Sequence, residues 1–275
     1  MSGQPGSFHL SRRRFVQACG PWSMGYWTEE DLPFYYSMAR TFPIADRYFC
    51  SVMAQTYPNR RFLIAATALG NVSTDGSGIM LSGNFPNGTI FDRLWHYGIT
   101  WKDYFPDVPT CALVIEVLKK ATPKNLGSIA DFISDCASGS LPSFSLVDPY
   151  VDYSEENGDI SVGEGYAAQV IEAVMRSPLW PKTALFFTYD EHGGYYDHVP
   201  PVPAVLPDTV PPDFRHDSPP TIPGAYDYTG FRVPFVAVSP WARRDYVSHV
   251  VYSTPSTGRR IPSARWARWP TSKNS

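Results

Sequence analysis

The chain has 275 residues, a net charge of −3 and 43% hydrophobic content, enough to bury one sizeable core in one or two domains. No basic excess points to nucleic acid, no acidic excess marks a solvating disordered chain, and no segment reaches the length of a membrane span. Aromatics at 15% and 27 prolines indicate a dense core with long, stiffened connections rather than a helical bundle.

Residues 1–27 are rich in Gly, Pro and Ser and carry a basic cluster. Within them "SRRRF" (Ser11–Phe15) has the look of a twin-arginine export signal. The stretch behind it is broken by Gly20 and Pro21, so a working signal is not expected. In "TEEDLPFYYSMARTF", Thr28 with Asp31 three residues on reads as the cap of a helix, and Pro33 is tolerated in its first turn. "ADRYFCSV" is a short strand candidate. "TYPNRRFLIAATALG" reads as a turn entering a second helix closed by Gly70. Residues 71–90 read as a long loop; Asn71 and Asn87 lie in N-x-S/T contexts, which matter only under glycosylation.

A short strand is predicted at Thr100–Tyr104. Ile129, Phe132, Ile133 and Cys136 recur at helical spacing. "LPSFSLVDPY" reads as a strand that leaves the core at Asp148-Pro149. A helix over 163–177 places Tyr166, Val170 and Val174 on one stripe, with Ala167 and Ile171 beside it, and Pro178 stops it. "TALFFTY" (183–189) and "VPFVAVS" (233–239) are apolar on both faces, as interior strands of a parallel sheet covered by helices must be.

These elements predict an α/β fold with one central, mostly parallel sheet flanked by helices, a three-layer sandwich. The chain divides into an irregular segment at 1–27, one α/β domain at 28–252 and a basic tail at 253–275, expected to be disordered. The proline-rich loop at 199–230 is long enough for a lid or binding loop. Cysteines 19, 50, 111 and 136 form no CxxC pair, so buried free thiols are expected rather than a zinc knot.

Two polar islands interrupt the apolar pattern. In "LFFTYDEHGGYYDHVPPV", Asp190 and Glu191 stand at the carboxyl end of a strand, where open α/β sheets bind ligands. A turn at Gly193-Gly194 can bring both carboxylates to one centre, and a divalent metal would relieve their repulsion. The same acids also read as a solvated turn. His198 suits a phosphate oxygen or a leaving group near neutral pH, or a core histidine packed by Tyr195 and Tyr196; His192 reads as solvent-exposed. In "QTYPNRR", Thr56 lies between a strand and a helix, as a nucleophile that needs activation or as a plain helix cap. Arg60 and Arg61 read as a phosphate clamp or as groups that solvate the helix.

Three blocks carry a resemblance: "EDLPFYYSMARTFPIADRYFCSVMAQTYPNRRFLIAATALG", "GEGYAAQVIEAVMRSPLWPKTALFFTYDEHGGYYDHVPP" and "GFRVPFVAVSPWARRDYVSH". In order over residues 22–252, they resemble the bacterial phosphoesterase family of non-haemolytic phospholipases C and related acid phosphatases. The resemblance implies an alkaline-phosphatase-like α/β core and hydrolysis of phosphate esters. It implies Thr56 as nucleophile and metal contact, Asp190 and Glu191 as ligands of one or more divalent ions, and His198 near the phosphate; in the mechanism that follows, Arg60 or His198 stabilises the charged oxygens. It also implies an extracellular, periplasmic or cell-surface setting.

Three departures stand against it. The family's Glu-Asn segment, which supplies further metal ligands, has no counterpart before Trp22. "SEENGD" at 154–159 replaces a histidine-bearing block. After Tyr252 the likeness stops in "STPSTGRRIPSARWARWPTSKNS", with five basic residues and no acid. That tail reads as a displaced frame or truncated product, or as a nucleic-acid or membrane patch around Trp266 and Trp269. The expected function is metal-dependent hydrolysis of phosphate esters, phospholipase C-like, on a substrate that includes phospholipid, with no nucleic-acid partner. The alternatives are a catalytically impaired truncated relative and an acid-phosphatase-like monoesterase.

Overall fold

In the computed structural model, residues 20–74, 83, 85–153, 158–214 and 226–251 are described. Among these residues seven short strands form two sheets. Strand β2 (Trp101–Tyr104) lies between β3 (Leu126–Gly127) and β4 (Phe144–Val147), and both pairings are parallel. The second sheet runs in the order β5-β6-β1-β7, from β5 (Leu185–Thr188) and β6 (Phe235–Val238) to β1 (Ile44–Ala45) and β7 (Val247–Ser248).

One helix serves both sheets. Helix α6 (Ile160–Arg176) packs Val170 and Val174 with Tyr104 and Phe132 beside the parallel sheet. Its next residue round, Ile171, packs with Met38, Val236 and Val238 of the other sheet's cluster. Apolar residues at i, i+1 and i+4 make a stripe wide enough to cover both. Helix α1 (Pro33–Thr41) brings Met38 to that second cluster, and its Tyr35 N–H donates to buried Glu164 of α6 at 2.9 Å. A carboxylate at a helix start satisfies a donor that the helix itself leaves open.

A third cluster joins Ile64 and Ala65 of α2 (Thr56–Ala65), Phe91 of α3 (Ile90–His96), Trp101 of β2, and Val114 and Val117 at α4 (Ile115–Lys120). Capping boxes start two of the helices: Thr89 with Asp92 for α3, and Ser128 with Asp131 for α5 (Ile129–Ser138). Each exchanges side-chain and backbone hydrogen bonds across three residues, which fixes where the helix begins.

The α/β class and the helix-flanked parallel sheet agree with the sequence reading, as do the elements at 101–104, 129–138 and 144–147. Four details are corrected. Thr28 and Asp31 do bond each other, at 2.7 and 2.9 Å, but they close a turn, and α1 begins at Pro33. Helix α2 ends at Ala65, capped by Ala66 in the left-handed conformation with φ 59°, before Gly70 is reached. The strand predicted in "ADRYFCSV" is reduced to Ile44–Ala45 and a single bridge from Phe49 to Arg232.

The fourth correction concerns the two apolar strands. They pair antiparallel with each other, Leu185 opposite Val238 and Thr188 opposite Phe235, and β5 is an edge strand with Phe186 62% exposed. Apolar character on both faces neither guarantees burial on both nor specifies the direction of a neighbour. Cys50, Cys111 and Cys136 are buried free thiols. Among the described residues no helix is long and apolar enough to cross a membrane. The expectations for the tail, for "SEEN" at 154–157 and for the middle of the 199–230 loop lie outside the described residues.

Candidate active site

Thr56 opens helix α2 at its first turn, after Gln55 at the cap position in extended backbone. The chain before it is braced by buried Asn59. Its Oδ1 accepts the Val52 N–H at 3.0 Å, and its Nδ2 donates to the carbonyls of Val52, Ala54 and Gln55 at 3.1, 2.9 and 3.2 Å. An amide that satisfies four backbone groups at once pins this turn. Thr56 and Arg60 are four residues apart on the helix and therefore share a face.

Arg60 is the hub. Its Nε donates to Asp190 Oδ2 at 2.8 Å, and its Nη1 donates to Asp148 Oδ1 at 2.7 Å and Thr110 Oγ1 at 2.9 Å. Burial alone would lower the guanidinium's pKa, but Asp190 and Asp148 outweigh it and raise it. Its Nη2 makes no hydrogen bond among the described residues and is not sealed from solvent. Two carboxylates thus hold one edge and one corner of a planar cation and leave its remaining donors open. Such donors suit the oxygens of a phosphate.

Asp148 is only 5% exposed. It accepts the Thr110 N–H at 2.9 Å and the Thr110 hydroxyl at 2.8 Å as well as Arg60. Behind it Asp103, fully buried in β2, accepts the Cys111 N–H at 2.9 Å on Oδ2, while among the described residues Oδ1 has no donor. Burial and the neighbouring Asp148 carboxylate push the Asp103 pKa well above the usual carboxylate range. Both effects favour the protonated form of Asp103.

Asp190 follows β5, and its Oδ1 accepts the Glu191 N–H at 3.0 Å. Glu191 Oε2 accepts the Gly193 N–H at 2.8 Å. Gly193 and Gly194 both take φ in the left-handed region, at 67° and 75°, where a side chain is disfavoured. Glu191 thus bonds within the glycine turn, while Asp190 bonds both to that turn and to Arg60. Beneath them Cys50 lies 3.9 Å from His192 Nδ1. Burial, then Glu191 and Asp190, raise the Cys50 pKa, so this thiol stays protonated and unreactive.

The structure thus brings Thr56, Arg60 and Asp190 to one locality, with Glu191 next along the turn. It does not bring His198 there: the imidazole side chain is 81% exposed and lies 3.6 Å from Asp197 Oδ1, a carboxylate held twice at 2.7 Å by Arg232. His192, read from the sequence as solvent-exposed, is instead enclosed, 3.6 Å from Glu191 Oε2 and edge-on to Phe231. Burial lowers its pKa. Arg61 does not solvate its helix. It is fully buried, donating to the Leu113 carbonyl at 3.1 Å and Asn71 Oδ1 at 2.7 Å. Burial pulls its pKa down to about 10, so it remains charged at neutral pH.

Asp148, Thr110 and Asp103 were missed. "VDP" offers one acid among many, and only the fold shows that it meets Arg60. Among the described residues no group of three or more His, Cys, Asp and Glu side chains is placed to hold a metal ion. Asp190 and Glu191 supply two carboxylates, and Asp190 already neutralises Arg60. Among the described residues these donors do not make up a full ligand set. A separate groove of about 400 Å³ between α1 and β5–β6 is lined by Tyr35, Met38, Phe187, Tyr189 and Phe235; Asp190 is not among its walls.

The chain is 34% identical over 227 residues to non-specific phospholipase C6 of Arabidopsis thaliana, an alignment covering 79% of this chain and 42% of that protein. It is 30% identical over 280 residues to phospholipase C B of Mycobacterium tuberculosis (strain ATCC 25618 / H37Rv), covering 90% and 53%. The chain thus spans about half the length of the curated relatives it matches. Its fold is similar to that of a Vibrio parahaemolyticus protein of the alkaline phosphatase superfamily, with a TM-score of 0.50 at 9% identity, covering 87% of this chain and 60% of that one. Residues 4–266 match the Phosphoesterase family, and the chain belongs to that family.

Proposed function

We propose that this chain carries the ester-cleaving site of a phosphoric ester hydrolase of the phospholipase C kind, with a phosphodiester lipid headgroup as substrate. One observation supports the reading most. Thr56 and Arg60 share a helix face, Arg60 is fixed on Asp190 at 2.8 Å, and its Nη2 remains open. A nucleophile and a rigid donor for phosphate oxygens are thereby set side by side.

In this mechanism Thr56 Oγ1 forms a bond to phosphorus as the bond from phosphorus to the lipid alkoxide breaks. The threonine proton is lost to solvent and the departing alkoxide takes one up. Arg60 Nη2 binds the oxygens on which negative charge grows. Water then attacks the phosphothreonine, releasing the phosphorylated headgroup and restoring the hydroxyl. Dependence on a divalent ion is part of the proposal: Asp190 and Glu191 would hold it and it would polarise the phosphate, with further ligands needed beyond those two. An incomplete ligand set aims an ion poorly, so turnover by this chain should be weak and raised by added metal.

The test is hydrolysis of an aryl phosphorylcholine ester and an aryl phosphate by the purified chain, with and without added divalent metal, beside Thr56→Ala. Weak turnover of the diester, lost in the variant, is expected. Preference for the aryl phosphate would favour the monoesterase reading. Equal rates in the parent and Thr56→Ala would remove Thr56 from the mechanism.

A further inference from the structure

We infer that Thr110 and Asp148 are positioning residues that fix the orientation of the Arg60 guanidinium, so that its Nη2 face is presented beside Thr56. This rests on the phosphoesterase reading of the same site and adds to it two residues from the parallel sheet's end.

The geometry is specific. Asp148 leaves the end of β4, and Thr110 lies 38 residues earlier in a buried single turn of 3-10 helix (Thr110–Leu113). The two lock each other twice, through the Thr110 N–H at 2.9 Å and its hydroxyl at 2.8 Å. The hydroxyl donates to Asp148, so its lone pairs remain for Arg60 Nη1, which reaches it at 2.9 Å. Both Nη1 hydrogens are then assigned, one to Thr110 and one to Asp148. Asp190 takes the Nε hydrogen on another side. A planar cation held by three acceptors on two of its three nitrogens has little free rotation left. Its remaining edge must point to a fixed place.

Neither residue is needed simply to fill space. Asp148 is a buried acid, and a buried charge is retained only where it is paired and hydrogen-bonded. It has a complete set of partners, and the cation among them is the one that touches the candidate site. The second layer is Asp103, fully buried, which abuts Asp148 from β2. Preorganised donors stabilise developing charge because they need no reorientation during reaction. Loosening Arg60 should therefore weaken phosphate binding and turnover while leaving Thr56 untouched.

The experiment compares the full chain with Thr110→Val and Thr110→Ser. Valine keeps the shape and removes the hydroxyl, whereas serine restores it. Two quantities are read: inorganic phosphate binding by calorimetry, and the side-chain Nε–H resonance of Arg60 by nitrogen NMR, assigned with Arg60→Lys. Asp148→Asn serves as a second variant if Thr110→Val folds poorly. The expected result is a shifted, faster-exchanging Arg60 resonance and phosphate binding weakened about tenfold in Thr110→Val, both recovered in Thr110→Ser. An Arg60 resonance unchanged in folded Thr110→Val and Asp148→Asn would overturn the inference. If the parent chain binds no phosphate and cleaves no ester, the functional reading fails, and the Arg60 resonance still decides whether these two residues position it.

Discussion

Arg60 reaches Asp190 at 2.8 Å across 130 residues of chain, tying the first turns of α2 to the end of β5. The same guanidinium also holds Asp148. A single side chain therefore links the carboxyl ends of two strands that belong to different sheets. Side chains of Arg60 and Asp190 are each under a quarter exposed, and that of Asp148 less than a tenth. Removing the cation leaves two acids facing each other in a poorly solvated place. Arg60→Ala should destabilise the fold by about 3 kcal/mol or more. Arg60→Lys should recover part of this, since an ammonium can meet one acid but not hold the fork. Urea unfolding of the three proteins checks the order.

Thr56→Ala should separate activity from stability. Among the described residues the Thr56 hydroxyl has no hydrogen-bond partner, so its loss leaves no buried group unsatisfied. Unfolding free energy should change by no more than about 0.5 kcal/mol, while hydrolysis of the aryl phosphorylcholine ester falls to background. A large loss of stability would show that the hydroxyl serves as a cap instead.

Asp103 sets a pH dependence. Burial, and then Asp148, raise its pKa in the folded chain, so the native state holds a proton that the unfolded chain releases above about pH 4. The native state binds more protons, and this group's contribution to stability falls as pH rises from about 4 toward the raised value. Asp103→Asn keeps the shape, supplies a donor toward Asp148 and removes the titration. The variant should match the parent near pH 4 and be the more stable of the two at pH 8. Denaturant midpoints at the two pH values decide it; a parent that gains on the variant as pH rises would mean that Asp103 is ionised.

Gly230 supports the site from below. A β-carbon there would overlap Cys50 Sγ and stand 2.7 Å from the Val52 carbonyl oxygen, and its own N–H donates to the Cys50 carbonyl at 2.9 Å. Gly230→Ala should cost about 1–3 kcal/mol through forced backbone movement. Adding Cys50→Ala should restore only part of it, because the carbonyl clash remains. Thermal unfolding of the single and double variants measures the difference.

By itself the sequence determined where several chain segments become helix or strand and where the acids fall. The stripe of Tyr166, Val170 and Val174, the apolar runs ending at Asp190, and the Gly193-Gly194 turn are local signals, written in spacing of 3.6 residues, in burial and in backbone freedom. The family likeness pointed to Thr56, Asp190, Glu191 and His198; the fold pairs Asp190 with Arg60, one turn along the helix from Thr56. Tertiary structure alone decided the rest. An apolar strand does not encode its neighbour's direction, and β5 and β6 proved antiparallel. A histidine beside tyrosines does not encode which way it faces, and His198 proved exposed while His192 is enclosed. Most of all, the pairing of Arg60 with Asp148 and Thr110 spans 88 and 50 residues. A buried charge needs partners, but any of the chain's 26 acids could have answered, and only the packing of α2 across the ends of β4 and β5 selects which ones do.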